Sequence, residues 1–311
     1  MEDTPWHSGE SHIHEALQII DKMKDLGQRM IRDYMPDQHR EFFSELDFVI
    51  LSALDQSGRV WPFIWSGEVG FMSSPDPKYL IIKKGPLSGQ PEGLLLQTGD
   101  KVSVLGIVPE TKRRNRMNGT ITKADDTMVE VKVDQSYGNC PRYIHVRERG
   151  NNNKAGSVED RESLSVEDKT LIAAADTLFI ATRVRSIKSD PRKGVDVNHR
   201  GGPAGFITLR DDNSIVIPDY AGNNFFNAYG NILNDPRIGL LIPNLETGDI
   251  LTLNGRAEVV LEDYAGTELY GSHRYLIFSP DKIRRANTAF PFVYALTEYS
   301  ASPPHPGKPN R

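Results

Sequence analysis

The chain has 311 residues, a length that suits two domains or one domain with a duplicated core. Hydrophobic residues make up 38% and charged residues 25%, the mixture of a globular protein, which argues against wholesale disorder. The formal net charge is −5, so we expect no concentrated basic surface and no nucleic-acid partner. The single cysteine excludes an internal disulfide and fits a reducing cytoplasm.

The N-terminus does not have the pattern of a secretory signal. Charged residues interrupt the first 30 positions, where a signal peptide needs an apolar run. Nowhere do 18 apolar residues follow one another, so the sequence predicts no membrane partner and a cytoplasmic location.

Residues 1–45 are predicted to be helical. Apolar residues recur every three or four positions over residues 11–34, which predicts one amphipathic helix. A second, short helix is expected after Pro36, with Phe42 and Phe43 facing inward. Beyond Asp47 the period changes: the apolar run 48–51 ends at a turn over 55–58, and short strands follow. The fold class is therefore mainly β with helices (α+β).

The chain contains an internal repeat. Segment 66–71 resembles 201–206, and segment 101–119 resembles 237–255, at offsets of 135 and 136 residues. Two matches in the same order favour duplication of one unit, and chance likeness of short strand-turn-strand segments is the alternative. The units are placed at 46–148 and 166–299.

A polar linker is predicted between the units, at 149–165, and is expected to be mobile. A capped helix starts after Ser165, and the strand 177–183 opens the second unit. The proline-rich tail 300–311 is predicted to be disordered.

Residues 214–237 predict a strand, a tight turn, a helix and a proline that stops the helix. Asn223 is expected to cap the helix, and Gly222 allows a ligand to approach the backbone. A helix that opens here would direct free N–H groups and its positive dipole end outward, which binds phosphate without lysine. Asn224 and Asn227 add amide donors. The alternative is that these asparagines only cap and solvate a surface helix.

The predicted strand 194–202 carries polar residues and glycines where a buried strand needs hydrogen-bond partners or a nearby ligand. Arg200 offers a planar cation suited to phosphate, although a surface ion pair is the alternative. His199 taken alone fits a structural role better than a catalytic one.

Three segments of the second unit resemble the pyridoxamine 5′-phosphate oxidase-related FMN-binding split-barrel family: 196–206, 218–224 and 234–241. Segments 6–10, 35–43 and 135–144 are similar to a long, two-unit branch of that family, so the resemblance covers residues 6–297. It implies a duplicated FMN-binding split β-barrel with an N-terminal helical segment, and a homodimer.

The resemblance also implies an FMN site in the second unit. Its residues would be Asn198, His199, Arg200, Gly201, Asp219, Tyr220, Gly222, Asn223, Asn224 and Asn227. The authentic vitamin B6 oxidases carry further basic residues on a strand and at a Ser-Arg-Lys turn, where this chain has Gly-Asn-Asn and no lysine on the strand. This departure argues against B6 oxidation.

The first unit lacks the asparagine-rich helix, because residues 85–100 contain proline and glycine, so it is expected to bind no cofactor. Tyr137, Asn139 and Arg142 are candidates to face the substrate, and a structural turn is the alternative. Cys140 has no neighbouring histidine pair in sequence, and we assign it no nucleophilic role.

The function predicted on this resemblance is an FMN-dependent oxidoreductase that acts on a small-molecule substrate. Relatives can occur beside ferredoxin-reductase-type modules, so the resemblance allows such an electron donor as a partner. One alternative is a flavin carrier without turnover. Another is a haem-binding split barrel, although His12 and His14 are too close in sequence to ligate one iron from opposite sides. No His, Asp or Glu spacing predicts a metal site.

Overall fold

The computed structural model describes residues 4–152, 156–187, 190–261, 272 and 274–301. Residues 302–311 of the predicted tail lie outside this part. Ser300 and Ala301 are described, and Ser300 is buried, with its backbone N–H donating to His145 Nδ1 at 2.9 Å.

The N-terminal segment forms three helices, α1 (Ser8–Ala16), α2 (Ile20–Met30) and α3 (Asp37–Ser44). The single helix predicted over residues 11–34 is wrong, because Gln18 adopts a left-handed backbone with φ of 57° and breaks it. The short helix after Pro36 is confirmed, and Phe42 and Phe43 are buried against the sheet of the first unit.

The first unit is an eight-stranded antiparallel sheet with the order β3-β4-β8-β7-β6-β1-β2-β5. A 3₁₀ turn, Pro109–Thr111, joins β6 to β7. The strands are β1 (Phe48–Leu54), β2 (Val60–Ser66), β3 (Met72–Ser73), β4 (Tyr79–Lys83), β5 (Leu87–Ser88), β6 (Lys101–Val108), β7 (Arg113–Ala124) and β8 (Met128–Gly138).

The segment predicted as a mobile linker is structured, so that expectation is corrected. It contains the end of β9 (Val146–Asn151) and all of β10 (Ser157–Arg161). β9 pairs with β18 (Phe292–Glu298), and β10 pairs with β17 (Tyr275–Asn287), so backbone hydrogen bonds fix both strands despite their polar sequence. Residues 153–155 lie outside the described part.

The second unit repeats the first. Helix α4 (Val166–Ala174) begins at the predicted Ser165 cap, where Ser165 and Asp168 form a capping box. Helix α5 (Asn227–Asn234) is the unit's other helix. Its strands are β11 (Thr177–Arg183), β12 (Val195–Gly201), β13 (Thr208–Leu209), β14 (Ile215–Pro218), β15 (Arg237–Asn244), β16 (Asp249–Val260), β17 (Tyr275–Asn287) and β18 (Phe292–Glu298).

Matching strands confirm the duplication. The sheet order β12-β11-β15-β16-β17-β14-β13 corresponds strand for strand to β2-β1-β6-β7-β8-β4-β3. β12 is therefore the counterpart of β2, β15 of β6 and β16 of β7, as the sequence offsets predict. The fold is a mainly β, duplicated split barrel.

The two units pack against each other reciprocally. β2 lies against β15 and β16, while β12 lies against β6. Asn254 Nδ2 donates to the Val60 carbonyl at 2.7 Å, and its counterpart Asn118 donates to Asp196 Oδ1 at 2.7 Å. A shared apolar core that includes Phe48, Leu105, Phe179 and Leu241 fills the junction. This arrangement brings the edge of the second unit's sheet beside strands of the first.

Within the described residues, none of the helices combines the length and the apolar character needed to span a bilayer.

Candidate functional site

A cleft opens where β12 meets the first unit, and the empty space between its lining residues, open solvent included, is about 820 Å³. The first unit contributes β7 and the segment 139–143, and the second contributes β12, residues 218–224 and the start of α5.

The structure brings the predicted site residues together. All ten predicted cofactor-binding residues line this cleft, and so do Asn139 and Arg142. Tyr137 lies one layer behind the wall, fully buried, with its hydroxyl donating to Asn227 Oδ1 at 3.1 Å. The predicted contact of Tyr137 with a substrate is therefore corrected. The roles of the cleft-lining residues toward a ligand stay predictions.

Two of the cleft's arginines, Arg114 and Arg116 of the first unit, were not predicted from sequence. Both are on β7, two residues apart, so their side chains leave the strand on the same face. The expectation of no concentrated basic surface is wrong here, because the cleft gathers four arginines. A basic segment is visible in the sequence at residues 112–116, where four of the five residues are basic, and it could have pointed to these two arginines.

Arg116 is buried and held from three directions. It donates to the Tyr137 hydroxyl at 2.8 Å, to Asn198 Oδ1 at 2.6 Å and to Asp196 Oδ1 at 3.3 Å. Tyr137 is its cross-strand neighbour on β8, and the other two partners are on β12. Its guanidinium is therefore locked at the junction of the two units.

Arg114 links the cleft wall to the segment 139–143. It donates to His199 Nδ1 at 2.9 Å and to the Cys140 carbonyl at 2.6 Å. Burial, with smaller contributions from Arg116 and Arg200, lowers the pKa of Arg114 to about 9, so it is still a cation at pH 7.

His199 is neutral in this environment. Its Nδ1 accepts the Arg114 hydrogen bond, which places any ring proton on Nε2. Burial and the nearby Arg114 hold the pKa of His199 well below its usual range. His199 therefore positions Arg114 and supplies no positive charge of its own.

Several buried donors in the cleft lack acceptors. Among the described residues, no hydrogen-bond partner reaches Nε of Arg114, Arg116 or Arg200, or Nδ2 of Asn139 or Asn198. All five atoms belong to residues that line the cleft, and all five are donors. Because unsatisfied buried donors cost about 1–3 kcal/mol each, this arrangement fits a ligand rich in acceptor oxygens.

The charge of the cleft is strongly positive. Of its described lining residues, four are arginines and one, Asp219, carries a carboxylate. Asp219 accepts from Arg274 Nε at 3.0 Å, and Arg200 Nη2 lies 3.9 Å from its other oxygen. An anion can therefore approach Arg200 without displacing a tight ion pair.

The helix that was expected to open after Gly222 begins later, at Asn227, with Phe226 in the cap position. Asn223 Oδ1 accepts from the Phe225 N–H at 3.1 Å and so stabilises a turn instead of capping the helix. Asn227 Nδ2 donates to Glu10 Oε1 at 2.6 Å, so this amide donor already has a protein partner. The arginines, and not the helix terminus, thus dominate the positive potential.

The segment 139–143 reaches across to the second unit. Tyr143 Oη and Arg142 Nη1 both donate to the Ala221 carbonyl, at 2.7 and 3.3 Å. A Cβ at Gly201 would lie 2.1 Å from the Tyr143 carbonyl oxygen, so glycine is required there. This contact closes one side of the cleft.

The corresponding region of the first unit is filled. Phe63 and Trp65 of β2 are the counterparts of Asn198 and Arg200 of β12, and both are buried. β5 pairs with β2 beside them, and residues 85–100, all of them described, form no helix. A Cβ at Gly89 would lie 2.8 Å from Oγ1 of Thr252, the counterpart of Arg116. Aromatic side chains and this loop replace the cleft.

The described residues contain no cluster of three His, Cys, Asp or Glu side chains placed to hold a metal ion. His14 is buried and bonds the Asn224 carbonyl at 3.0 Å, whereas His12 is exposed. The two side chains therefore do not converge on a common site.

These features define a class: a duplicated split barrel with one cationic cleft formed by both units in the described part of the chain. A family model described as pyridoxamine 5′-phosphate oxidase matches residues 164–289, within the second unit. On this match the second unit is similar to the pyridoxamine 5′-phosphate oxidase family.

Solved structures similar to part of the chain include a candidate pyridoxamine 5′-phosphate oxidase from Lactobacillus delbrueckii, with 17% identity and a TM-score of 0.29, covering 40% of this chain and 94% of that one. HupZ of Group A Streptococcus has 13% identity and a TM-score of 0.29, covering 45% and 99%. A FAD-binding protein from Mesorhizobium loti has 14% identity and a TM-score of 0.29, covering 42% and 97%. No curated protein matches the chain.

Proposed function

We propose that the cleft binds FMN and that the chain is an FMN-dependent oxidoreductase. The observation that carries this proposal is a cleft lined by four arginines, whose lining residues also hold five buried side-chain donors without partners among the described residues, in a split barrel similar to this family. A phosphate monoester offers acceptor oxygens and a double negative charge that match this donor set. The FAD-binding protein described above is consistent with a flavin ligand.

The chain's residues would hold the cofactor in defined ways. Arg200 and Arg114 offer guanidinium Nε donors, and Asn139 and Asn198 offer amide donors. Arg116 is already oriented by Tyr137, Asn198 and Asp196, so binding would cost little further ordering. Tyr220 and Tyr143, with ring centroids 5.4 Å apart, form an aromatic side of the cleft. When bound, FMN would supply hydride and electron transfer.

The first experiment is an absorption spectrum of the purified protein, followed by mass identification of whatever denaturation releases. Flavin bands and a mass of FMN support the proposal. A mass of FAD would correct the cofactor, and a Soret band would favour the haem-binding alternative.

Replacing Arg200 tests the site directly. Arg200→Ala is expected to weaken FMN binding by tenfold or more, since a hydrogen bond to a charged group contributes about 1.5–3 kcal/mol. Arg40→Ala is a matched control, because the Arg40 side chain is 26% exposed against 24% for Arg200 and lies on α3, outside the cleft. Fluorescence titration of the apoprotein measures both affinities. Equal affinities in the two variants would remove Arg200 from the site.

A second experiment separates an oxidoreductase from a flavin carrier. The flavin-loaded protein is reduced, and reoxidation is followed with and without candidate acceptors. A rate that rises with a particular acceptor supports an enzyme, whereas a rate that no added substrate changes supports the carrier.

A further inference from the structure

We propose that Glu10, near the N-terminus, is a positioning residue for the cleft: it anchors the hydrogen-bond chain that holds Arg116, and its protonation state controls how strongly the cleft binds an anion. This inference rests on the proposed FMN site. Glu10 does not line the cleft and would act through other residues.

A directional chain of hydrogen bonds connects Arg116 to Glu10. Arg116 Nη1 donates to Tyr137 Oη at 2.8 Å, and Tyr137 Oη donates to Asn227 Oδ1 at 3.1 Å. Asn227 Nδ2 then donates to Glu10 Oε1 at 2.6 Å. Every member donates to the next, so the chain starts on a cation and ends on a carboxyl group, an arrangement in which each bond polarises its neighbour.

A second path closes this chain into a ring. Arg116 also donates to Asp196 Oδ1, and Asn231 Nδ2 donates to Asp196 Oδ2 at 2.8 Å. His7 Nε2 contacts Asn231 Oδ1 at 2.8 Å, and the His7 backbone N–H donates to Glu10 Oε2 at 2.8 Å. The side chains of this ring are buried, so its members cannot exchange partners with water.

Close packing holds Glu10 in this ring. A Cβ at Gly9 would lie 2.1 Å from the Gly230 carbonyl oxygen, and a Cβ at Gly230 would lie 2.6 Å from Glu10 Cγ. Helices α1 and α5 therefore meet backbone to backbone. Since α5 carries both Asn227 and Asn231, the position of α1 fixes both paths to Arg116.

The groups that face Glu10 decide its charge. They are His7 on α1, Arg116 on β7, Tyr137 on β8, Asp196 on β12 and Arg192 of the loop before β12. His7 accepts from the Gly9 N–H at Nδ1, and its Nε2 lies 3.6 Å from Glu10 Oε2. Glu10 and Asp196 are thus the two carboxyl groups connected to Arg116. Arg192 instead donates to the Trp6 carbonyl and forms an ion pair with Asp190.

Burial raises the pKa of Glu10 to about 7; His7 opposes this rise, and Asp196 adds a smaller contribution to it. Below pH 7 Glu10 is neutral and Arg116 is balanced by Asp196 alone. Above pH 7 a second buried carboxylate appears behind Arg116 and lowers the positive potential of the cleft. Anion affinity should therefore fall as the pH rises through about 7, and anion binding should draw a proton onto Glu10.

Glu10→Gln tests this, because glutamine keeps the neutral form at every pH. The matched control is Asp168→Asn: Asp168 is likewise a buried capping-box carboxylate in the third position of a helix, but it caps α4 and bonds Arg161. FMN affinity is measured by fluorescence titration from pH 6.5 to 8.5, above the second ionisation of the phosphate, which lies near pH 6.

For the wild-type chain and Asp168→Asn we expect FMN affinity to fall about three- to tenfold across this range, and for Glu10→Gln we expect a flat profile. Calorimetry of the wild-type chain at pH 7.5, in two buffers with different ionisation enthalpies, should show proton uptake on FMN binding. This measurement needs no variant and decides the question even if Glu10→Gln does not fold.

Three outcomes would overturn the inference. A wild-type profile without the fall, a fall retained in Glu10→Gln, or binding without proton uptake would each exclude Glu10 as the responsible group while leaving the FMN site intact. No FMN binding by the wild-type chain at any pH would instead overturn the proposed function, and this inference with it.

Discussion

Two arginines of the cleft bond the protein through their terminal nitrogens and leave Nε without an acceptor in the described structure. Arg116 uses its terminal nitrogens on Tyr137 and Asn198, and Arg114 uses its own on His199 and Cys140, while Nε of each finds no acceptor among the described residues. The protein thus fixes each guanidinium and leaves one donor of each without a partner in the described part of the chain. Such preorganisation lowers the ordering cost of binding.

Gly222 provides a residue-level test of where the ligand lies. An added Cβ would come no closer than 3.9 Å to the described protein atoms, at the Tyr220 carbonyl, so the fold should tolerate alanine. If the ligand approaches the backbone there, as the sequence predicts, Gly222→Ala should lower FMN affinity at least tenfold.

The Gly222→Ala measurements are a thermal unfolding curve and an FMN titration. We expect an unchanged midpoint together with weaker binding. Unchanged affinity would place the cofactor away from residues 220–224, and Gly194→Ala, where a Cβ would lie 3.7 Å from Lys101, serves as the control.

At the level of elements, the contact between α1 and α5 connects the N-terminal segment to the site. Because a Cβ at Gly9 would lie 2.1 Å from a backbone oxygen of α5, the helices must separate in Gly9→Ala. We expect this variant to lose about 1–3 kcal/mol of unfolding free energy, the usual cost of overpacking.

Urea denaturation of Gly9→Ala and Gly194→Ala measures this loss, and FMN affinity should fall in the first variant only. A Gly9→Ala variant as stable as the wild type would show that α1 is not seated on α5 as described.

The elements themselves were largely predictable. Apolar periodicity and turn residues located α3, β1 and β11, and a Ser-x-x-Asp pattern located the start of α4. The errors have local causes. A left-handed Gln18 splits one predicted helix into α1 and α2, and a left-handed Phe226 delays α5, and neither residue type signals that backbone conformation. Strands β9 and β10 are polar, so only their pairing partners reveal them.

At the scale of the whole molecule, duplication gives two units with the same strand order. The surface beside β12 of the second unit nevertheless differs from the surface beside β2 of the first. Polar Asn198 and Arg200 line the cleft of the second unit, whereas Phe63 and Trp65 fill the matching place in the first. We therefore expect one FMN per chain. Flavin absorbance against protein concentration, on a reconstituted sample, measures this ratio, and two per chain would contradict it.

The second unit's half of the site was predictable, because its motifs are continuous in sequence. Arg114 and Arg116 were not, since they enter the cleft only when β7 of one unit packs beside β12 of the other. Sequence patterns describe local elements well, but they do not specify which strand of a neighbouring unit completes a site. The predicted homodimer likewise stays a prediction, which light scattering of the purified chain would test.

The proposed function depends on capture of a phosphate by the arginine cleft, and comparing FMN with riboflavin tests this most directly. Titration of the apoprotein with each compound, followed by flavin fluorescence, isolates the contribution of the phosphate. Two charge-assisted contacts of about 1.5 kcal/mol each predict that FMN binds at least about 100-fold more tightly than riboflavin. Equal affinities for the two compounds, or no binding of FMN, would contradict the account.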